Sequence, residues 1–335
     1  LLVQLLPDGP KQSFIQKLNL GTSIINKKYD SMRYFGKNIN LFLNNLMVCY
    51  TDDGPDDAPV IIFIHGFPLN KSMWSRQLTA LKQQYRVIAY DVRGHGESES
   101  GDSSTFSIEN FAHDLVYFMD ALKVDRAALC GLSMGGYIAL NAVENYPHRF
   151  DSLVLCDTSC FPDTPETIEK RMKTVESIEN NGLVRYADTS VNILFAPQSL
   201  TTKEVEIAAV KEMILTTSIQ SLSKTLLALC VRKETCTLLP LIQVPVLVMV
   251  GEEDTITPPT TAKYMHENIK DSILHVIKHA GHLSNLENSV DFNKQLKTFF
   301  ASVYKRQGII SSEISTSFVD QLRDKMKSFV ALLTI

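Results

Sequence analysis

A layered α/β fold, with helices on both faces of a mostly parallel sheet, is predicted by three features of this 335-residue sequence. Apolar runs of strand length alternate with segments of helical period from residue 60 to residue 158. VIIFI at 60–64 is unbroken and β-branched, as in strands covered on both faces. The glycine-bearing turn motifs fall at the ends of predicted strands, where open parallel sheets place their ligand sites.

Taken in order, LFLNNLMVCYT at 41–51 reads as strand and turn, and passes through the turn-rich DDGPDDAP into VIIFI. SMWSRQLTALKQQ then has helical spacing, with Trp74, Leu78 and Leu81 on one face. YRVIAYD, RAALCG and FDSLVLCDT predict strands; SIENFAHDLVYFMDALK and MGGYIALNAVENY predict the helices between them. Such units join by right-handed crossovers into a parallel sheet. Over 161–240 the alternation gives way to helical stretches, beginning near Pro165, where proline is tolerated. The simplest reading is a helical cap inserted between the sixth and seventh strands. VPVLVMVGEED and SILHVIKHAGH resume the sheet, and SVDFNKQLKTFFASVYK closes it with a helix. The predicted organisation is therefore a core of 32–160 and 241–307, a cap of 161–240, an N-terminal extension 1–31, and a possibly helical C-terminal extension 308–335.

Lysine and arginine number 33 against 37 acids, a net charge of −4, and no basic cluster with interleaved aromatics appears. Nucleic acid is not an expected partner. No apolar run approaches the roughly 18 residues that span a bilayer, and LLVQLLPDGP does not read as a secretory signal. A cytoplasmic location is expected on those grounds. The six cysteines form no CxxC pair and have no histidine at zinc spacing, so free thiols in a reducing compartment are expected. No Walker loop, GxGxxG or metal-ligand spacing is present, and neither metal nor cofactor is expected. Oligomeric state is not legible.

The chemistry centres on GLSMG at 131–135, a G-x-S-x-G that ends a predicted strand and opens a helix. That setting identifies a nucleophile elbow, with Ser133 as the nucleophile. The amide of Met134, the following residue, supplies one donor to an oxyanion; the loop after FIHG supplies the other, through Phe67. His282 in HAGHLSN is the expected base, ahead of His279, His95 and His65, which read as packing or turn residues. Asp254 in GEEDTITPP is the expected acid, with Asp157 in LVLCDT as the rival. Trp74, Met172, Leu194, Phe195 and Met213 are candidates for an apolar substrate pocket under the cap, although a core role for Trp74 competes.

With HGFP, DVRGHGES, GLSMGG, GEEDTITPP and GHLSNLE in this order, the sequence resembles the α/β-hydrolase superfamily over about 47–305. Within it, CGLSMGGYIAL, LVLCDTSCFPDTPE and AGHLSNLE are similar to the branch of 3-oxoadipate enol-lactonases and carboxylesterases. The resemblance implies a serine hydrolase of carboxylic esters of short to medium acyl chain, acting on a small-molecule substrate. Lactone hydrolysis is the alternative, and its anionic substrate implies a basic cap residue, for which Arg171, Lys173 and Arg185 are available. Perhydrolysis or haloperoxidation, carbon–carbon bond hydrolysis, and ligand reception without turnover are further alternatives on the same scaffold. A serine at the elbow argues against dehalogenase or epoxide hydrolase chemistry, which uses aspartate there.

Overall fold

The computed structural model describes residues 38–43 and 46–306. The expected extensions 1–31 and 308–335 lie outside them. Eight strands form one sheet: β1 (Asn38–Leu43), β2 (Leu46–Asp53), β3 (Val60–Ile64), β4 (Arg86–Tyr90), β5 (Ala127–Leu132), β6 (Phe150–Cys156), β7 (Val246–Gly251) and β8 (Ile273–Ile277). Their order is β1-β2-β4-β3-β5-β6-β7-β8. The β1–β2 and β2–β4 pairs are antiparallel, and every later pair is parallel. The unbroken apolar runs lie at the centre: the side chains from Ile61 to Ile64 are fully buried, as are those from Ala127 to Cys130. A strand covered on both faces needs no polar alternation.

Three helices connect these strands: α1 (Ser75–Leu81), α2 (Ile108–Ala121) and α3 (Met134–Asn145). Trp74, Leu78 and Leu81 are all buried, as the helical spacing requires. The turn from β5 into α3 is possible only with minimal side chains. A Cβ on Gly131 would lie 2.2 Å from the Gly135 carbonyl oxygen, and one on Gly135 would lie 2.1 Å from that of Ile64. Those contacts press the start of α3 against two strands and fix where residue 133 must sit.

Between β6 and β7 the chain is helical: α4 (Pro165–Leu194), α5 (Ser199–Thr202), α6 (Glu204–Leu215) and α7 (Ile219–Cys230). α4 is two helices in one run, because Gly182 has non-helical angles (φ 77°, ψ 174°). The two helical stretches read from PETIEKRMKTVESIEN and LVRYADTSVNILF are its halves. After β7 come α8 (Pro259–Asn268), the short α9 (Ser284–Glu287) and α10 (Ser289–Arg306). The chain separates into two compact units between Asn293 and Lys294, and the second is described as the remainder of α10. Among the described residues no single helix is long and apolar enough to cross a membrane.

One expectation is corrected. Cys160 and Cys236 are joined in a disulfide, with Cα atoms 4.8 Å apart; Cys49, Cys130, Cys156 and Cys230 are free. The pair closes the base of the cap, since Cys160 follows β6 and Cys236 precedes β7. A bond across 76 residues leaves no local spacing to read. Constraining a loop of that length is worth about 4 kcal/mol by chain entropy. Such bonds persist in oxidising surroundings, which sets this pair against the reducing compartment expected from the sequence.

Candidate active site

Ser133 stands at the β5–α3 junction with φ 54° and ψ −114°, a left-handed backbone that few residues other than glycine adopt. Its amide donates to the Cys156 carbonyl (3.0 Å), and its own carbonyl accepts the Thr158 hydroxyl (2.7 Å). The strained backbone is thus held by β6, and the side chain is left to the cavity beyond. That cavity, of about 410 Å³, is bordered by Phe67, Ser133, Met134 and His282 together. No hydrogen bond joins Ser133 to His282 in this structure; such bonds often tighten only when substrate is bound. Among the described residues, neither the Phe67 nor the Met134 amide donates to another group of the chain. Both belong to residues on the cavity wall.

His282 is buried, and its Nδ1 lies 2.8 Å from Asp254 Oδ2. Asp254 is itself fixed: Oδ1 accepts the amides of Ile256 (2.8 Å) and Thr257 (3.0 Å), and Oδ2 the Thr257 hydroxyl (2.7 Å). Burial works to raise its pKa, but His282 beside it and these donors outweigh that and hold the carboxyl below its ordinary value. Asp157, the rival acid, is occupied elsewhere. Its oxygens accept the Gly251 amide (2.7 Å) and the Ser284 hydroxyl, and burial, with Asp254 nearby, pushes its carboxyl well above the usual range. A carboxyl so disposed to stay protonated is a poor partner for an imidazolium.

His65 and His95 have structural partners. His65 Nδ1 lies 3.0 Å from the Gly66 carbonyl, and Nε2 accepts the Val92 amide (2.9 Å). The ring therefore carries its proton on Nδ1 and ties the Gly66–Phe67 loop to the end of β4. His95 is buried with Nδ1 against the Arg93 carbonyl, and His279 is exposed at the end of β8. Asp91 accepts the Lys71 and Glu97 amides and so holds the DVRGHGES loop. Cys49, Asp91 and Glu97 offer donors close enough for a cation, but the Lys71 ammonium sits among them, 2.8 Å from Asp91, 3.2 Å from Glu97 and 3.3 Å from Cys49. A metal would have to displace it.

Residues 59–289 match the family described as alpha/beta hydrolase fold. The chain belongs to that family. A 3-oxoadipate enol-lactonase from Acinetobacter baylyi is 30% identical over 251 residues, 75% of this chain and 92% of that one. A thermophilic esterase from Thermogutta terrifontis superposes with a TM-score of 0.75 at 29% identity, over 80% of this chain and 99% of its own. The enol-lactonase from Burkholderia xenovorans LB400 gives 0.73 at 27% identity, over 78% and 100%. Both the fold and a hydrolase activity are supported by these likenesses.

This hydrolase's cavity is lined largely by residues other than those expected, apolar ones such as Ile193, Leu226 and Leu229 beside polar and charged ones. Of the five pocket candidates only Leu194 borders it. Trp74 is fully buried in the core, its ring 5.1 Å from that of Phe63. Phe195 and Met213 are buried without reaching the cavity, and Met172 is 44% exposed on the outer side of α4. The residues that do line it follow helical phase. Thr167, Lys170, Arg171 and Thr174 form one face of the first half of α4; Tyr186, Ser190, Ile193 and Leu194 form one face of the second. Residue 172 is out of phase with that face. Arg171, one of the three basic candidates, bonds Asp163 (Nε–Oδ2 2.6 Å), and the same carboxylate pairs with Arg232, whose guanidinium lies 4.3 Å from the Tyr137 ring centroid. Lys173 instead pairs with Glu169 on the surface, and Arg185 is exposed. Two guanidiniums share one carboxylate, Lys170 adds a further cation, and among the described residues no aspartate or glutamate lines the cavity.

Proposed function

We propose that this chain hydrolyses carboxylic esters through Ser133, His282 and Asp254. The observation that carries the reading is the convergence on one cavity of a serine on strained backbone, an imidazole paired with a buried carboxylate, and two amides without protein acceptors. His282 takes the Ser133 hydroxyl proton as the oxygen attacks the ester carbonyl. The oxyanion forms against the Phe67 and Met134 amides. His282 then gives its proton to the departing alcohol, leaving an acyl-enzyme. Water, deprotonated by the same imidazole, releases the acid and restores Ser133.

A second reading, hydrolysis of a lactone that carries a carboxylate, is favoured by Arg171 and Lys170 on the roof. Both readings use the same residues and differ in what the roof holds. The test is a panel of p-nitrophenyl acetate, longer p-nitrophenyl esters and carboxylate-bearing lactones. Turnover is expected on at least one class, and Ser133→Ala is expected to lower it by at least about 10⁴-fold. A folded protein inert to the whole panel, or a Ser133→Ala variant that keeps its rate, overturns the proposal.

A further inference from the structure

Glu287, the last residue of α9, is 3% exposed, and no step of the mechanism above uses it. Its Oε1 accepts the amide of Gly281 (2.8 Å), the residue immediately before His282, and its Oε2 accepts the amide of Ala196 (2.9 Å). The Leu283 amide, on the other side of His282, and the Ser199 hydroxyl favour the charged form of the same carboxylate. Ala196 and Ser199 belong to the segment that leaves α4 immediately after Leu194, which borders the cavity.

One buried carboxylate therefore bonds an amide of the histidine loop and an amide of the segment that ends the cap helix. Backbone contact reinforces the joint. A Cβ on Gly281 would lie 2.6 Å from the Ala196 nitrogen and 2.9 Å from the Phe195 carbonyl carbon, so loop and cap segment touch with nothing between them. The Asp254 bond fixes one edge of the imidazole, but it does not fix the loop that carries the ring. The two amides bonded to Glu287 tie that loop to the cap. Buried N–H groups that lose their acceptor must find another, which here means moving the loop or the cap.

We propose that Glu287 is a positioning residue, which sets the height of His282 over Ser133 and ties it to the cap that covers the substrate. The inference rests on the triad reading given above.

The experiment compares Glu287→Gln, Ser199→Ala and Ser133→Ala in the full chain on p-nitrophenyl acetate, or on the best substrate of the panel. The folded fraction is fixed by circular dichroism, and the low-field Nδ1 proton of His282 is followed by NMR. In Glu287→Gln the side-chain amide turns an N–H toward donors that need an acceptor. Its kcat per folded molecule is expected to fall about a hundredfold with KM changed less than about threefold, because a displaced base spoils the reaction geometry rather than binding. The Nδ1 proton signal moves or broadens. Ser199→Ala removes only a cap donor and is expected to lower kcat by about threefold in the same direction, with the signal retained.

Wild-type kcat and an unmoved signal in folded Glu287→Gln, beside an inactive Ser133→Ala, overturn the inference and leave the triad reading standing. Activity surviving in Ser133→Ala overturns both. If Glu287→Gln does not fold, Ser199→Ala decides: wild-type kcat there removes the link to the cap, and with it the proposal.

Discussion

The floor and the roof of the cavity are built by opposite means. The floor lies at the carboxyl ends of strands, and its groups are held largely by backbone: the elbow is wedged between strands, Asp254 is gripped by two amides and a hydroxyl, and His65 clamps the Gly66–Phe67 loop. Much of the roof is two helical faces set by the break at Gly182, and its Arg171 is held by an ion pair with Asp163, which Arg232 shares. The first arrangement leaves the floor groups little freedom, and the second fixes a charge and a shape. On the proposed reading, chemistry belongs to the floor and choice of substrate to the roof.

The strongest way to break this division is to disturb the floor by one atom. Asp254→Asn keeps the size and most contacts of the acid but turns a donor or a neutral oxygen toward His282 Nδ1. A drop in kcat of about 10⁴-fold is expected, with KM little changed. The measurement is steady-state kinetics on any substrate of the panel. A loss below about tenfold would mean that the imidazole does not depend on this carboxylate.

The roof responds differently. Arg171→Met removes one of the two cations on the cavity wall and leaves Asp163 paired with Arg232, so no buried charge is stranded. A hydrogen bond to a charged group is worth about 2 kcal/mol. We expect kcat/KM for carboxylate-bearing substrates to fall roughly 50-fold, and that for neutral p-nitrophenyl esters to stay within about threefold. Equal losses on both classes would place Arg171 in the structure of the cap and remove the support it lends to the lactone reading.

The same division explains what could be read from the sequence. Floor residues sit in short loops after strands, and each carries a local signature: glycines that admit a tight approach at 131 and 135, prolines after Asp254, a glycine before His282. A pattern of a few residues is enough because the backbone itself does the positioning. Roof residues sit on helices, where the face that turns inward is decided by docking. Met172 is apolar, but Arg171 and Thr174 share a face from which residue 172 is turned away. Helical phase counted from Leu194 back to Ser190 and Tyr186 would have given the second face. Nothing local could have given the first, or the Cys160–Cys236 pair, because both depend on where the cap's ends return to the sheet.

The smallest effect tests the floor's dependence on a neutral clamp. His65 is fully buried, and burial holds its imidazole down to about 4, against 6.5 for a free histidine. Its Nε2 accepts the Val92 amide, which a protonated ring cannot do. The unfolded chain therefore binds a proton that the folded chain refuses between those two values. Stability from this group is complete above pH 6.5 and is lost as pH falls towards 4, with about 2 kcal/mol gone at pH 5. His95, held down to about 3 by burial, acts in the same direction. Asp157 and Glu287, whose carboxyls burial pushes up, act with the opposite sign. The wild-type slope alone therefore mixes these contributions, and a comparison isolates the clamp. Urea unfolding of the wild type and of His65→Gln at pH 7.5 and pH 5 is expected to show the variant weaker at the higher pH but losing about 2 kcal/mol less on acidification. Parallel losses in the two proteins would mean that protonation of His65 does not govern the acid loss, and that the Gly66–Phe67 loop is held by something other than this ring.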